Sequence, residues 1–131
     1  FGEMNYHAAY EPQRTVRTDR WRYIRRFDER DHIVLCNADD SPSKQVLMNH
    51  GWSTQRRDQE MLFDLIFDPQ ESHNLAGDPG AAAQLSEMRA LLDRWMHETD
   101  DPLLRGPMPI PPGAVVNDPD TVSPSDRPTS T

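Results

Sequence analysis

Thr15-Val16-Arg17-Thr18-Asp19-Arg20-Trp21-Arg22-Tyr23-Ile24-Arg25 is the stretch on which the fold class turns. Both of its ends are rich in β-branched and aromatic residues, and Asp19-Arg20 supplies a short connection between them. The pattern predicts an antiparallel hairpin. Alternation puts Trp21 and Tyr23 on one face and Arg22 and Ile24 on the other, so the sheet is expected to pack against something on each side. The same counting sets Arg17 and Arg25 at opposite parity to Arg14 and Arg22.

Working outward, Met61-Leu62-Phe63-Asp64-Leu65-Ile66-Phe67 reads as a further strand, stopped by Asp68-Pro69, with Phe63, Leu65 and Phe67 assigned to packing. A long helix is predicted from Pro79 to about His97. Asp78 is its N-cap, and Pro79 stands where a missing N–H costs nothing. Leu85, Met88, Leu91, Leu92, Trp95 and Met96 recur at steps of three and four and make one apolar stripe, leaving Glu87, Arg89, Asp93 and Arg94 toward water. Asp101-Pro102 ends it. The fold class expected is α+β, a small antiparallel sheet packed by one long C-terminal amphipathic helix.

The intervening sequence is less regular. Ile33-Val34-Leu35 is expected to be a short extended segment and Asn37 to Ser43 a loop. Ser43 to His50 reads as a short helix with Val46 and Leu47 inward, ended by Gly51 before Trp52 re-enters the body. Phe1 to Pro12 reads as an aromatic and polar lead-in, and Asp118-Pro119-Asp120 as a solvated turn.

Bulk properties narrow the possibilities. Fourteen basic against 22 acidic residues give a formal charge of -8, which argues against a general nucleic-acid surface. No stretch approaches the roughly 18 to 20 apolar residues that span a bilayer. A soluble chain is expected, with bacterial cytoplasm and periplasm both open. The single cysteine, Cys36, excludes an internal disulfide and a Cys-rich metal site, and it reads as a small semi-buried residue. Hydrophobic content of 35% and a mean hydropathy of -0.85 are low for a self-sufficient core, so part of the core is expected in a partner domain.

The order and spacing of Val16 to Ile24, Leu62-Phe63-Asp64-Leu65, the run Asp68-Pro69-Gln70-Glu71-Ser72-His73-Asn74-Leu75-Ala76 and the closing helix with Trp95 resemble the carboxy-terminal subdomain of the sulfatase family, within the alkaline-phosphatase-like fold. The middle, with Asn37, Asp39 to Lys44 and Gly51-Trp52, is similar to a bacterial branch grouped with arylsulfatases and N-sulfoglucosamine sulfohydrolase-like enzymes. The resemblance implies a parent sulfuric ester hydrolase. Its large N-terminal α/β domain would hold calcium and a formylglycine made from a cysteine in a Cys-x-Pro/Ala-x-Arg pattern. Cys36 is followed by Asn37-Ala38-Asp39-Asp40 and lacks that arginine, so no catalytic residue, metal ligand or cofactor is assigned to this chain, which is expected to be inactive alone.

On this reading residues 1–13 are a cleft-approach segment, residues 14–104 the sulfatase C-terminal subdomain, and residues 105–131 a proline-rich strap over a neighbour that becomes disordered toward Thr131. The implied partners are the missing N-terminal catalytic domain and a sulfated small molecule or sugar. His7 would donate to a sulfate or sugar oxygen, Tyr6 stack on a ring, and Glu3 accept from a hydroxyl. Arg14 and Arg17 are candidates for an anionic-substrate rim, most of the neighbouring arginines being surface or ion-paired. Lys44 is a substrate-side cation on a loop, or an exposed residue after a Ser43 helix cap. Asp64, Asp68, Glu71, His73 and Asn74 superficially resemble metal ligands, but their spacing lacks an EF-hand or zinc signature, and Asp68 and Asn74 fit better as turn caps. The competing reading is a free-standing interaction module without catalytic activity, holding a protein partner through its prolines and aromatic lead-in.

Overall fold

The computed structural model describes residues 1–126. Its strands are β1 (Gly2–Tyr6), β2 (Tyr10–Arg17), β3 (Trp21–Arg26) and β4 (Glu60–Asp64), and they form one sheet in the order β1-β2-β3-β4. The helices are α1 (Pro42–Asn49) and α2 (Ala82–Glu98). The sequence-predicted hairpin is β2–β3, antiparallel, with Val16 opposite Tyr23. β3 continues the antiparallel pairing with β4, Tyr23 facing Leu62. The lead-in is more ordered than its composition implied, since it forms β1 and the first part of β2.

Register corrects the expectation for the arginines. Arg14 lies opposite Arg25 and Arg17 opposite Arg22, so these are the pairs that share a face. Counting along the sequence fails across this hairpin because partners on the two strands have opposite numerical parity.

The chain is organised in two units. One comprises Phe1–Glu3, Gln13–Phe27 and Gln59–Met108. Its core is Val16, Tyr23, Leu62, Ala81, Leu85, Met88, Leu92 and Met96, with Trp21, Leu91 and Trp95 packed at its margin. Burying this stripe is what holds α2 on the sheet, because fully removing one such side chain from water is worth about 1.5–3 kcal/mol. Asp78 Oδ1 accepts from Gly80 N at 2.8 Å and opens a 3-10 turn, Pro79–Ala81, that leads into α2. The Phe1 ring stacks on Trp95 at 5.0 Å between centroids. At the far end Asp100 adopts a φ of 49°, and Asp101 N donates to Met96 O at 2.8 Å.

β4 is shorter than the predicted strand. Asp64 Oδ1 accepts from Ile66 N at 3.1 Å and Phe67 N at 3.4 Å, so the carboxylate turns the chain away from the sheet. Ile66 and Phe67 are then 62% and 80% exposed, which corrects the assignment of Phe67 to packing. The caps expected just beyond are present. Asp68 Oδ2 accepts from His73 N at 2.8 Å, and Asn74 Oδ1 from Leu62 N and Ala76 N, each at 3.0 Å.

The other unit comprises Met4–Pro12, Asp28–Asp58 and the stretch from Pro109 onward. Its small core is Ala9, Val34 and Cys36, the last fully buried rather than semi-buried. Leu35–Asn37 is a 3-10 turn, which takes in the last residue of the extended segment predicted over Ile33-Val34-Leu35. α1 is capped by Ser41, whose hydroxyl accepts from Lys44 N at 3.1 Å, two residues earlier than the predicted Ser43 cap. This start turns Val46 and Leu47 outward, 56% and 48% exposed, and buries Lys44 instead.

From Pro109 the proline-rich segment belongs to this second unit, whereas Arg105 to Met108 belong to the first. Asn117 pairs with Ala9 in a parallel bridge, its N–H donating to Ala8 O at 2.8 Å. Asp118 Oδ1 accepts from Asp120 N at 2.9 Å and closes the predicted turn. The disorder expected toward Thr131 falls on residues 127–131, outside the described residues. Among the described residues, no helix is long and apolar enough to cross a membrane.

Candidate functional site

Tyr6 and His7 end β1 and begin the turn into β2. His7 is exposed, and its backbone N–H donates to Ala9 O at 3.2 Å, closing the turn. Tyr6 is half-buried against Tyr10, with ring centroids 4.9 Å apart and planes tilted by 44°. Burial, then the neighbouring Tyr10, push the Tyr6 phenol up, so at neutral pH it is a hydroxyl donor beside an aromatic face. An exposed imidazole next to a tilted aromatic pair can contact a sugar ring and its oxygens together.

In the other unit, Glu3 is exposed, with its carboxylate 3.6 Å from Arg14 Nη2, and Arg17 is exposed at the end of β2. Arg14 has no exposed surface. Its Nε donates to Asp101 Oδ2 at 2.6 Å and its Nη2 to Asp101 Oδ1 at 3.0 Å, a bidentate fork, while Nη1 donates to Gln13 O at 3.0 Å. The Arg14 bond holds the Asp101 carboxyl below the usual carboxylate range, against the opposing effect of burial. The guanidinium thus anchors the turn after α2 to β2.

Lys44 behaves similarly in its own unit. It is 6% exposed, and Nζ donates to Ala38 O at 2.8 Å, Asp40 Oδ1 at 3.0 Å and Val122 O at 2.6 Å. An ammonium has three donors, and all are taken. The Ser123 hydroxyl also donates to Asp40, and together with Lys44 it lowers the Asp40 carboxyl. The predicted residues therefore divide into exposed groups, Glu3, His7 and Arg17, a half-buried one, Tyr6, and two internal cross-links, Arg14 and Lys44.

Sequence reasoning missed a polar cluster in the unit built on α2. Glu60, at the start of β4, accepts from the buried Tyr23 hydroxyl and from Arg89, whose Nε lies 2.7 Å from Glu60 Oε1 while Nη2 bonds Oε2. Arg89 chiefly depresses the Glu60 carboxyl, and burial followed by Glu60 pushes the Tyr23 phenol up. By its helical position alone, Arg89 is only a solvent-facing residue. The signal available was charge complementarity between a strand-flanking glutamate and an arginine on the helix.

The groups implied by the family resemblance find no seat here. Cys36 is buried, with Sγ 3.7 Å from Asp118 O, and it lacks the arginine of the formylglycine pattern. Asp68 and Asn74 spend their oxygens on turn N–H groups, and among the described residues no group of three or more His, Cys, Asp or Glu side chains can hold a metal ion. The described residues fit neither calcium nor formylglycine.

No family model matches the chain. It is 30% identical over 101 residues to an ulvan-active sulfatase of Formosa agariphila, an overlap of 76% of this chain and 20% of that protein. A second ulvan-active sulfatase of the same organism is 30% identical over 109 residues, 73% of this chain and 18% of the relative. Among solved structures, a 2-O GAG sulfatase matches with a TM-score of 0.52 and 25% identity, over 84% of this chain and 18% of that one. A Bacteroides thetaiotaomicron protein named as a sulfatase shares the fold, with a TM-score of 0.55 and 22% identity, over 95% of this chain and 22% of that one. The chain is homologous to sulfatase-family proteins, and its sheet and long helix are those of an alkaline-phosphatase-like fold. It spans about one fifth of the length of the curated relatives it matches.

Proposed function

We propose that this chain is the C-terminal portion of a sulfatase acting on sulfate esters or N-sulfates of a polysaccharide, and that it shapes the substrate cleft. The remainder of the polypeptide is the partner that supplies calcium and formylglycine chemistry. Thirty per cent identity over 101 residues to an ulvan-active sulfatase carries this reading. The naming of a second relative for the same substrate, and of a solved neighbour for 2-O GAG, supports a sulfated polysaccharide over a small aryl ester. Exposed Val46 and Leu47 in one unit, and Ile66 and Phe67 in the other, are apolar surface available to that partner.

Within the proposal, His7 donates to an oxygen of the bound sugar and Tyr6 offers the flank of its ring; Glu3 and Arg17, which belong to the other unit, are proposed as separate substrate contacts. Arg14 and Lys44 act as positioning residues, because their donors are committed internally. The test is sulfate release by the full-length protein from sulfated polysaccharides and from N-sulfated sugars. Release from at least one is expected, and His7→Ala should lower kcat/KM by about tenfold to a hundredfold with an unchanged melting temperature. No release from either substrate class would remove the assignment. A His7→Ala enzyme with native kinetics would remove His7 from the cleft.

A further inference from the structure

We infer that the Arg25–Arg26–Arg89 cleft is a second anion site, one that takes a sulfate or carboxylate carried on a sugar chain. The inference rests on the polysaccharide reading above, yet it uses none of Glu3, Tyr6, His7 and Arg17. The cleft has a volume of about 450 Å³ and is lined by Arg25, Arg26, Gln59, Glu60 and Arg89. Three guanidinium groups and one carboxylate in one depression give a net positive lining, in a chain whose formal charge is -8. The net charge of the chain disfavours anions as a whole, and a locally positive lining offsets that here.

The site is organised before any ligand arrives. Tyr23, fully buried in the core, and the half-exposed Arg89 both bond Glu60, so both oxygens of the one acidic group in the lining are already engaged. Glu60 in turn fixes the plane of Arg89 through Nε and Nη2. A guanidinium presents five N–H donors in a rigid fork, and holding it in place lowers the entropy lost on binding a planar or tetrahedral oxyanion.

Arg25 is the adjustable member. Its side chain is 41% exposed, its Cζ lies 4.9 Å over the Phe27 ring, and its contact to Asp93 Oδ1 is a 3.2 Å bond between two solvated groups. Surface pairs of this kind are worth little, so a ligand anion can displace Asp93 at small cost. Gln59 adds a neutral amide for hydroxyl groups. A charged fork, a movable second cation and an amide together suit an anionic sugar better than an apolar ligand.

The probes are a sulfated tetrasaccharide containing uronic acid, its desulfated counterpart, and inorganic sulfate, each titrated calorimetrically into the full-length protein at low and at elevated salt. Expected are binding of the sulfated probe, its weakening as salt rises, and a loss of about tenfold or more in affinity on Arg25→Glu. Arg105→Ala, which removes a surface arginine outside the cleft, should leave that affinity unchanged. The proposal is overturned by no detectable binding, by equal loss in both variants, by an Arg25→Glu protein that binds normally, or by inorganic sulfate binding as tightly as the oligosaccharide. Sulfate release on small substrates reports the polysaccharide-hydrolase reading independently. An enzyme that hydrolyses but fails the titration sinks only the cleft, and one that binds here but never releases sulfate sinks only the hydrolase.

Discussion

Asp101 shows how one side chain can join several demands. It caps the 3-10 turn Pro102–Leu104 by accepting from Leu103 N at 3.0 Å, and it takes both prongs of the buried Arg14 fork. Removing it takes the buried, bidentate carboxylate from the Arg14 guanidinium and leaves the exposed Glu3 carboxylate, 3.6 Å from Nη2, as a weaker counter-charge. Asp101→Ala is therefore expected to cost about 3–5 kcal/mol at neutral pH, read by denaturant unfolding. The Asp101 carboxyl titrates below its unfolded value, so its stabilisation is fully present above the ordinary aspartate pKa of about 3.9 and fades as pH falls through the depressed folded value. The gap between wild type and variant should accordingly shrink as unfolding is measured at progressively lower pH. A gap that stays constant across that range would show that Arg14 does not depend on the ionised carboxylate.

At the scale of elements, the joint between α2 and the sheet dominates. Leu92 is fully buried among Tyr23, Leu62 and Met88, and Leu92→Ala should destabilise the chain by about 2–5 kcal/mol by leaving a cavity there. A loss below 1 kcal/mol, on the order of a surface substitution, would contradict this packing. α2 and the β2–β3 hairpin were legible in the sequence because their apolar period is long and their caps are local, as Asp78 and the Leu85-to-Met96 stripe illustrate. β1 was not, since Gly2–Tyr6 carries little alternation and owes its extended form to pairing with β2. The fate of Lys44 was hidden for a related reason: one of its three acceptors, Val122 O, is 78 residues away. Glu3, His7 and Arg17 could be placed on the surface by polarity alone, whereas the Glu60–Arg89 bond needed the helix to be laid against the sheet first.

At the scale of the whole molecule, the stretch from Pro109 onward completes a unit that begins at Met4. A chain ending at Met108 would lose the Asn117 bond to Ala8 O, the Val122 bond to Lys44 and the Asp118 oxygen beside Cys36. Cys36 would then be covered by less of the chain, and its thiol should react with an aromatic disulfide reagent about tenfold faster or more, as expected of a locally loosened unit. Equal rates in the full and shortened chains would show that the strap does not protect that core.

The parallel bridge between Ala9 and Asn117 also sets a timetable for synthesis. A ribosome adding about 5 to 20 residues per second makes Ala9 on the order of 5 to 20 seconds before Asn117. Throughout that interval the nascent Ala8 carbonyl lacks its native donor, although the long helix has already been translated. The unit on α2 can thus mature while its sibling waits for Asn117 to leave the exit tunnel.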